Sequence, residues 1–248
     1  MSRAERQASV MTSQAASSRH MSLREHGVTS WLCPSQYPTS GLGACERMIL
    51  SDRDIVKEIE AGRIRIDPPI DLEKHMGSCS IDFRLGNTFM VFEHSRYSFI
   101  DPLQPQSIAE GMRTIVVPDG EPFIMQAGDF ALASTVESLE LPDDLLGRLE
   151  GRSSIARLGI TVHSTAAVFE PGWIGTATME LSNLGRMAVA LYPGMRICSF
   201  TFQQMSSPVR VPYRAKAGNK YAGQVEPRAS RLSEEDGRLA ASKRRIDH

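Results

Sequence analysis

From about residue 80 to 206 the apolar positions alternate with polar ones in short runs. SIDFRLG (80–86) sets Ile81, Phe83 and Leu85 on one face and polar side chains on the other. That spacing predicts a half-buried strand. RTIVV (113–117), PFIM (122–125), DFALASTV (129–136), GITVHS (159–164), TATMELSN (176–183), MAVALY (187–192) and RICSFTF (196–202) continue the pattern. Pro118-Asp119-Gly120, Ala127-Gly128-Asp129, Pro171-Gly172, Leu184-Gly185 and Pro193-Gly194 punctuate it. Short strands with frequent turns predict a sandwich, jelly roll or barrel, not βαβ units. One helix precedes them. LSDRDIVKEIEAGRI (50–64) offers Ser51 as N-cap, acidic residues in the first turn, Ile55 and Ile59 at helical spacing, and Gly62 as the stop.

The ends differ. Residues 1–47 are rich in Ser, Ala, Arg and Gln and have no apolar period. They lack the apolar core of a secretory signal and read as a disordered extension, with Met48 as the functional start. Residues 48–230 form one domain, and 231–248 a polar, loose or partly helical tail.

Composition narrows the class. The chain has 248 residues, 41% hydrophobic and 23% charged, with a formal net charge of −1. No global basic field points to nucleic acid. No apolar run approaches the roughly 18–20 residues of a membrane span. Cys33, Cys45, Cys79 and Cys198 contain no C-x-x-C pair, so neither a disulfide framework nor a structural zinc site is expected, and a cytoplasmic location is. The paired H-x-E and P-C-x-x-C of zinc deaminases are absent, as are H-E-x-x-H, G-x-S-x-G and the glycine-rich phosphate loops.

Three stretches carry candidate chemistry. EGRSSIAR (150–157) crowds Arg152, Ser153, Ser154 and Arg157 beside Gly151. Guanidinium forks and hydroxyls suit phosphate oxygens, and a glycine lets backbone N–H groups approach an anion. A plain turn with locally satisfied serines reads equally well. FEPGWIGTATMELSN (169–183) holds Glu170, Trp173 and Glu180. A carboxylate turned into an apolar interior suits proton transfer, whereas one turned outward is a solvated strand face. Trp173 offers a flat platform for a sugar or base. YRAKAGNKYAGQ (213–224) reads either as a mobile flap that closes on an anion or as a solvated loop. His163, alone on its strand, reads as a hydrogen-bonded structural residue.

MILSDRDI (48–55), SIDFRLG (80–86), EGRSSIARLGITVH (150–163), PGWIGTATMELSN (171–183), LYPGMRI (191–197) and KYAGQ (220–224) together resemble the dCTP deaminase branch of the dUTPase-like superfamily. The resemblance implies a mainly β, distorted barrel or jelly-roll subunit with a short N-terminal helix. It implies a homotrimer with active sites between subunits, and deamination of dCTP to dUTP and ammonia without zinc. Glu180 then moves protons between the attacking water and the leaving ammonia, while Ser153 and Arg157 hold the water and the base. The backbone at Ala166 helps place the water. Arg152, Ser154, Tyr213, Lys220 and Gln224 match triphosphate contacts. Trp173 and Glu170 match deoxyribose contacts, and Thr178 and Met179 complete the substrate-binding strand. Mg²⁺ rides on the triphosphate, and dUTP or dTTP are the expected product or inhibitor.

Two departures from the family pattern, at three positions, stand out. Glu170 replaces an Asp, which disfavours hydrolysis of the triphosphate. Ala167 and Val168 replace basic residues and favour a bifunctional enzyme that takes dCTP to dUMP and diphosphate. A nucleotide-binding homologue without catalysis is the reading from another class.

Overall fold

The computed structural model describes residues 49–93, 99–102, 108 and 110–234. The extension 1–47, the start at Met48 and most of the tail lie outside these residues.

Helix α1 (Asp52–Glu60) begins where Ser51 predicts. The Ser51 hydroxyl accepts the Asp54 N–H at 3.4 Å. Ile55 is fully buried. The helix ends at Ala61, and Gly62 takes a positive φ of 67° that a side chain would strain. A short helix α2 (Leu72–His75) follows strand β1 (Arg65–Asp67), which the sequence pattern does not reveal.

The principal sheet is formed by β2 (Ile81–Phe92), β5 (Phe130–Glu140), β6 (Leu145–Gly151), β7 (Ile160–Thr161), β8 (Val168–Phe169), β9 (Ile174–Asn183) and β11 (Arg196–Gln204). They run in the order β7-β9-β5-β2-β11-β6-β8, with β1 on β5 and β3 (Met112–Val116) on β2. Strands β4 (Phe123–Met125) and β10 (Val189–Leu191) pair separately. Every strand ladder among the described residues is antiparallel, and these strands joined by tight turns give the expected mainly β fold. Gly120, Gly128, Gly172 and Gly194 supply positive-φ turns where the turn residues predicted them.

Ile81, Phe83 and Leu85 are fully buried, as their alternation predicts. Phe200 packs against Phe83 in a tilted pair at 4.8 Å and meets Phe169 edge-on at 5.0 Å. Phe169 in turn meets Trp173 edge-on at 4.8 Å. This aromatic chain carries the rigidity of the core out to Trp173. The β2–β5 ladder slips between Leu85 and Phe89. The fully buried Glu137 sits by this slip and accepts the Arg84 N–H at 2.8 Å and its Nε–H at 2.5 Å. No helix among the described residues is long and apolar enough to cross a membrane.

Candidate active site

Strands β5 and β9 present two faces. Ala131 and Ala133 pair with Leu181 and Met179, and all four are buried in the core. The alternate residues pair on the other face: Phe130 with Ser182, Leu132 with Glu180, Ser134 with Thr178. A cavity of about 540 Å³ opens on that face, lined by Leu132, Thr178 and Glu180 among others. Glu180 is thus neither a core residue nor a fully solvated one. It is half-buried in a cavity wall. Its Oε2 accepts the Ser164 N–H at 2.8 Å, and its backbone N–H donates to the Val162 carbonyl at 3.0 Å. The segment after β7 therefore fixes the carboxylate. A carboxylate oriented by one backbone donor in the wall of a cavity is placed to hand a proton to or from a bound molecule.

The segment from Ala166 through β8 and the turn before β9 supplies the next wall. Ala166, Glu170 and Trp173 all line the cavity. Trp173 is buried, donates its indole N–H to the Gly175 carbonyl at 3.1 Å, and stacks on Tyr213 at 5.3 Å. Lys216 forms an ion pair with Glu170, both half exposed.

The third wall is the segment beyond β11. Tyr213, Tyr221 and Gln224 line the cavity. The expected free flap is anchored at both ends. Tyr213 N–H donates to the Pro171 carbonyl at 2.9 Å, and the Arg214 guanidinium pairs with Asp143 at 2.7 Å. Gln224 is buried and lies beside Gly175 in a parallel bridge. Its Nε2 donates to the Thr176 carbonyl at 2.8 Å and to Thr178 Oγ1 at 3.0 Å. Its Oε1 is buried with no partner among the described residues, an acceptor left for a ligand. Lys220 does not line the cavity; its Nζ stands 5.9 Å over the Tyr221 ring.

Several expected residues lie elsewhere. None of Arg152, Ser153, Ser154 and Arg157 lines the cavity of the same chain. Gly151 ends β6, and helix α3 (Ser153–Ala156) follows, pinned by the buried Ile155. Ser153, Ser154 and Arg157 are exposed. Arg152 is engaged: its Nε pairs with Asp82 at 2.9 Å and its Nη1 donates to the Arg196 carbonyl at 2.9 Å. A Cβ on Gly151 would make only ordinary contact, at 3.6 Å, so nothing steric demands glycine there. The Met179 side chain faces the core and cannot touch a ligand in the cavity. His163 lacks the structural hydrogen bond expected of it, since its Nδ1 is buried without a described partner. Asn183, the last residue of MELSN, is structural: its Nδ2 donates to the Met125 and Met187 carbonyls at 3.0 and 2.8 Å.

The sequence pattern missed Phe92, Met112 and Arg228, which also line the cavity. The first two sit at ends of paired strands, and only the β2–β3 register brings Met112 opposite Phe92. Among the described residues no group of three or more His, Cys, Asp or Glu is arranged to hold a metal.

A curled, mainly antiparallel β subunit with a carboxylate-bearing cavity on its outer sheet face defines the class. The family model for dCTP deaminase-like proteins matches residues 49–205, and the chain belongs to that family. It is 79% identical over 188 residues to the dCTP deaminase of Thermomicrobium roseum, covering 76% of this chain and 95% of that protein. It is 50% identical over 186 residues to the dUMP-forming dCTP deaminase of Dictyoglomus thermophilum, covering 75% of this chain and 95% of that one. The fold is similar to the crystal structure of 2′-deoxycytidine 5′-triphosphate deaminase from Agrobacterium tumefaciens, with a TM-score of 0.51 at 20% identity over 64% of this chain and 49% of that chain.

Proposed function

We propose that the protein deaminates dCTP to dUTP and ammonia, with Glu180 as the proton-transfer group. The observation that carries this reading is the half-buried Glu180 carboxylate, held by the Ser164 N–H at 2.8 Å in a wall of the cavity. Water adds through its oxygen to C4 of cytosine. Glu180 takes a proton from that water, and N3 of the ring gains one. Glu180 then relays the remaining hydroxyl proton to the amino nitrogen. The C4–N bond breaks, ammonia leaves, and the C4 carbonyl of uracil remains. Mg²⁺ enters as part of the substrate, on the triphosphate.

The Arg152–Arg157 block, with Ser153, Ser154 and Arg157 exposed, belongs to the same reaction in a homotrimer, where it enters the cavity of a neighbouring subunit. Its exposure supports this, as does the apolar surface next to it: Leu158, Leu184 and Met187 are 56%, 75% and 80% exposed, and Leu184 N–H donates to the Gly159 carbonyl at 2.8 Å. Glu170, drawn to Lys216, is held toward the flap. That favours release of dUTP over its hydrolysis. The dUMP-forming name of the Dictyoglomus thermophilum relative and the apolar Val168 in the cavity wall favour the second reading, a bifunctional enzyme yielding dUMP and diphosphate. Separation of nucleotides after incubation with dCTP and Mg²⁺ tests both. Accumulating dUTP supports the first reading, dUMP without free dUTP the second, and unchanged dCTP overturns the deaminase reading.

A further inference from the structure

The cavity wall holds two carboxylates, Glu170 and Glu180, and among its described lining residues a single cationic side chain, Arg228. Arg228 lies in a segment anchored on both sides. On one side Gln224 is buried and bonded to Thr176 and Thr178. On the other the Arg231 N–H donates to the Tyr221 hydroxyl at 3.2 Å, and the Arg231 guanidinium donates to the Lys220 carbonyl. Arg228 is thereby held at the cavity while its guanidinium makes no hydrogen bond or ion pair with any described residue. Several other arginines are used in the fold: Arg84 on Glu137, Arg152 and Arg196 on Asp82, Arg214 on Asp143. Arg157 and a few others make no such contact, but Arg228 alone among the described arginines lines the cavity. An unpaired guanidinium facing a cavity contributes nothing to the fold. Its fork of donors fits the oxygens of a phosphate.

We infer that Arg228 is a substrate-binding residue that contacts the phosphate chain of the nucleotide from within the same subunit. The inference rests on the dCTP reading for the identity of the nucleotide, though the phosphate contact stands on the geometry of Arg228. A polyanion entering this cavity meets two carboxylates, one of them paired with Lys216. Arg228 offsets the other and marks where the phosphates lie. Neither the basic cluster at Arg152–Arg157 nor the KYAGQ motif points to it, because it sits four residues past Gln224 in a polar stretch.

The test compares wild type with Arg228→Ala and Arg228→Lys. KM and kcat for dCTP are measured, along with inhibition by inorganic triphosphate, a probe with no base or sugar. Removing a charge-assisted contact is expected to raise KM about ten- to a hundredfold with kcat little changed. Inhibition by inorganic triphosphate weakens in parallel, and Lys restores part of both. Melting temperature stays at the wild-type value, because Arg228 supports no fold contact. An unchanged KM overturns the inference. So does a raised KM with unchanged triphosphate inhibition, which would put Arg228 on the base or sugar. If wild type does not deaminate dCTP, the deaminase reading fails. Calorimetric binding of inorganic triphosphate to wild type and Arg228→Ala then still decides the phosphate contact, equal affinities overturning it.

Discussion

Gly175→Ala probes how the cavity is closed. Gly175 has a φ of 126°, a region L side chains rarely adopt, and a Cβ there would stand 2.7 Å from the Gln224 carbonyl oxygen and 3.0 Å from its nitrogen. Both are backbone atoms, so no flexible side chain can swing away. The backbone strain costs about 1–3 kcal/mol. The overlap can be relieved only by moving the Gln224 segment off β9. That segment is held by Gly223 N–H on the Ile174 carbonyl at 2.8 Å, Thr176 N–H on the Gln224 carbonyl at 2.9 Å, and the two Nε2 bonds at 2.8 and 3.0 Å. At about 0.5–1.5 kcal/mol net per bond, the docking is of the same order as the strain. Losing about 1–3 kcal/mol of docking raises KM for dCTP about five- to 150-fold, at 1.4 kcal/mol per decade. Steady-state kinetics and hydrogen exchange at the Thr176 amide measure it. The comparison is repeated in a chain truncated after Ala222, where the overlap is gone and the extra cost of the Ala should fall to the φ strain alone. A Gly175→Ala protein with wild-type KM and full protection at Thr176 would refute the reasoning.

Two further outcomes follow from the same geometry. If α3 completes the cavity of a neighbouring subunit, Glu180→Gln and Arg157→Ala proteins, each inactive alone, regain part of the activity when unfolded together and refolded as a mixture; no recovery would place both groups in one chain's site. Burial, and then the nearby Glu137 and Asp82 charges, push the Cys198 thiol up. In a Cys33→Ser, Cys45→Ser, Cys79→Ser background the folded protein should therefore resist a thiol reagent until denatured, and rapid native labelling would show that Cys198 is not enclosed.

The strands most legible in the sequence were those with one buried face. SIDFRLG and RICSFTF are legible because β2 buries Ile81, Phe83 and Leu85, and β11 buries Cys198, Phe200 and Phe202, each set alternating against the same core; the irregularity at Ile197, also buried, falls where the ladder shifts register. β6 was missed because Gly147 interrupts its apolar period. The structure explains the glycine: a Cβ there would stand 3.1 Å from Leu141 and 3.5 Å from Phe169 and Phe200. Glu180 could not be assigned a face from its neighbours alone. Met179 and Leu181 flank it in sequence, yet they point to the core, and the pairing of Glu180 with Leu132 puts it on the cavity side. The crowding of Arg152, Ser153, Ser154 and Arg157 reads locally as a phosphate cradle or as a turn with satisfied serines. Asp82, some seventy residues upstream in the chain, takes up Arg152 by a contact that only the sheet creates. Arg228 was invisible for the same reason, since a polar stretch carries no period and its meaning comes from the anchors on either side.

The central claim is that Glu180 transfers the protons of a dCTP deamination. Its most direct test is ammonia release from dCTP by wild type and Glu180→Gln, with a nucleotide-dependent thermal shift measured on both. The account predicts that the amide variant still gains stability with dCTP and loses about 10²–10⁴-fold in rate. A Glu180→Gln protein that releases ammonia at the wild-type rate would contradict it.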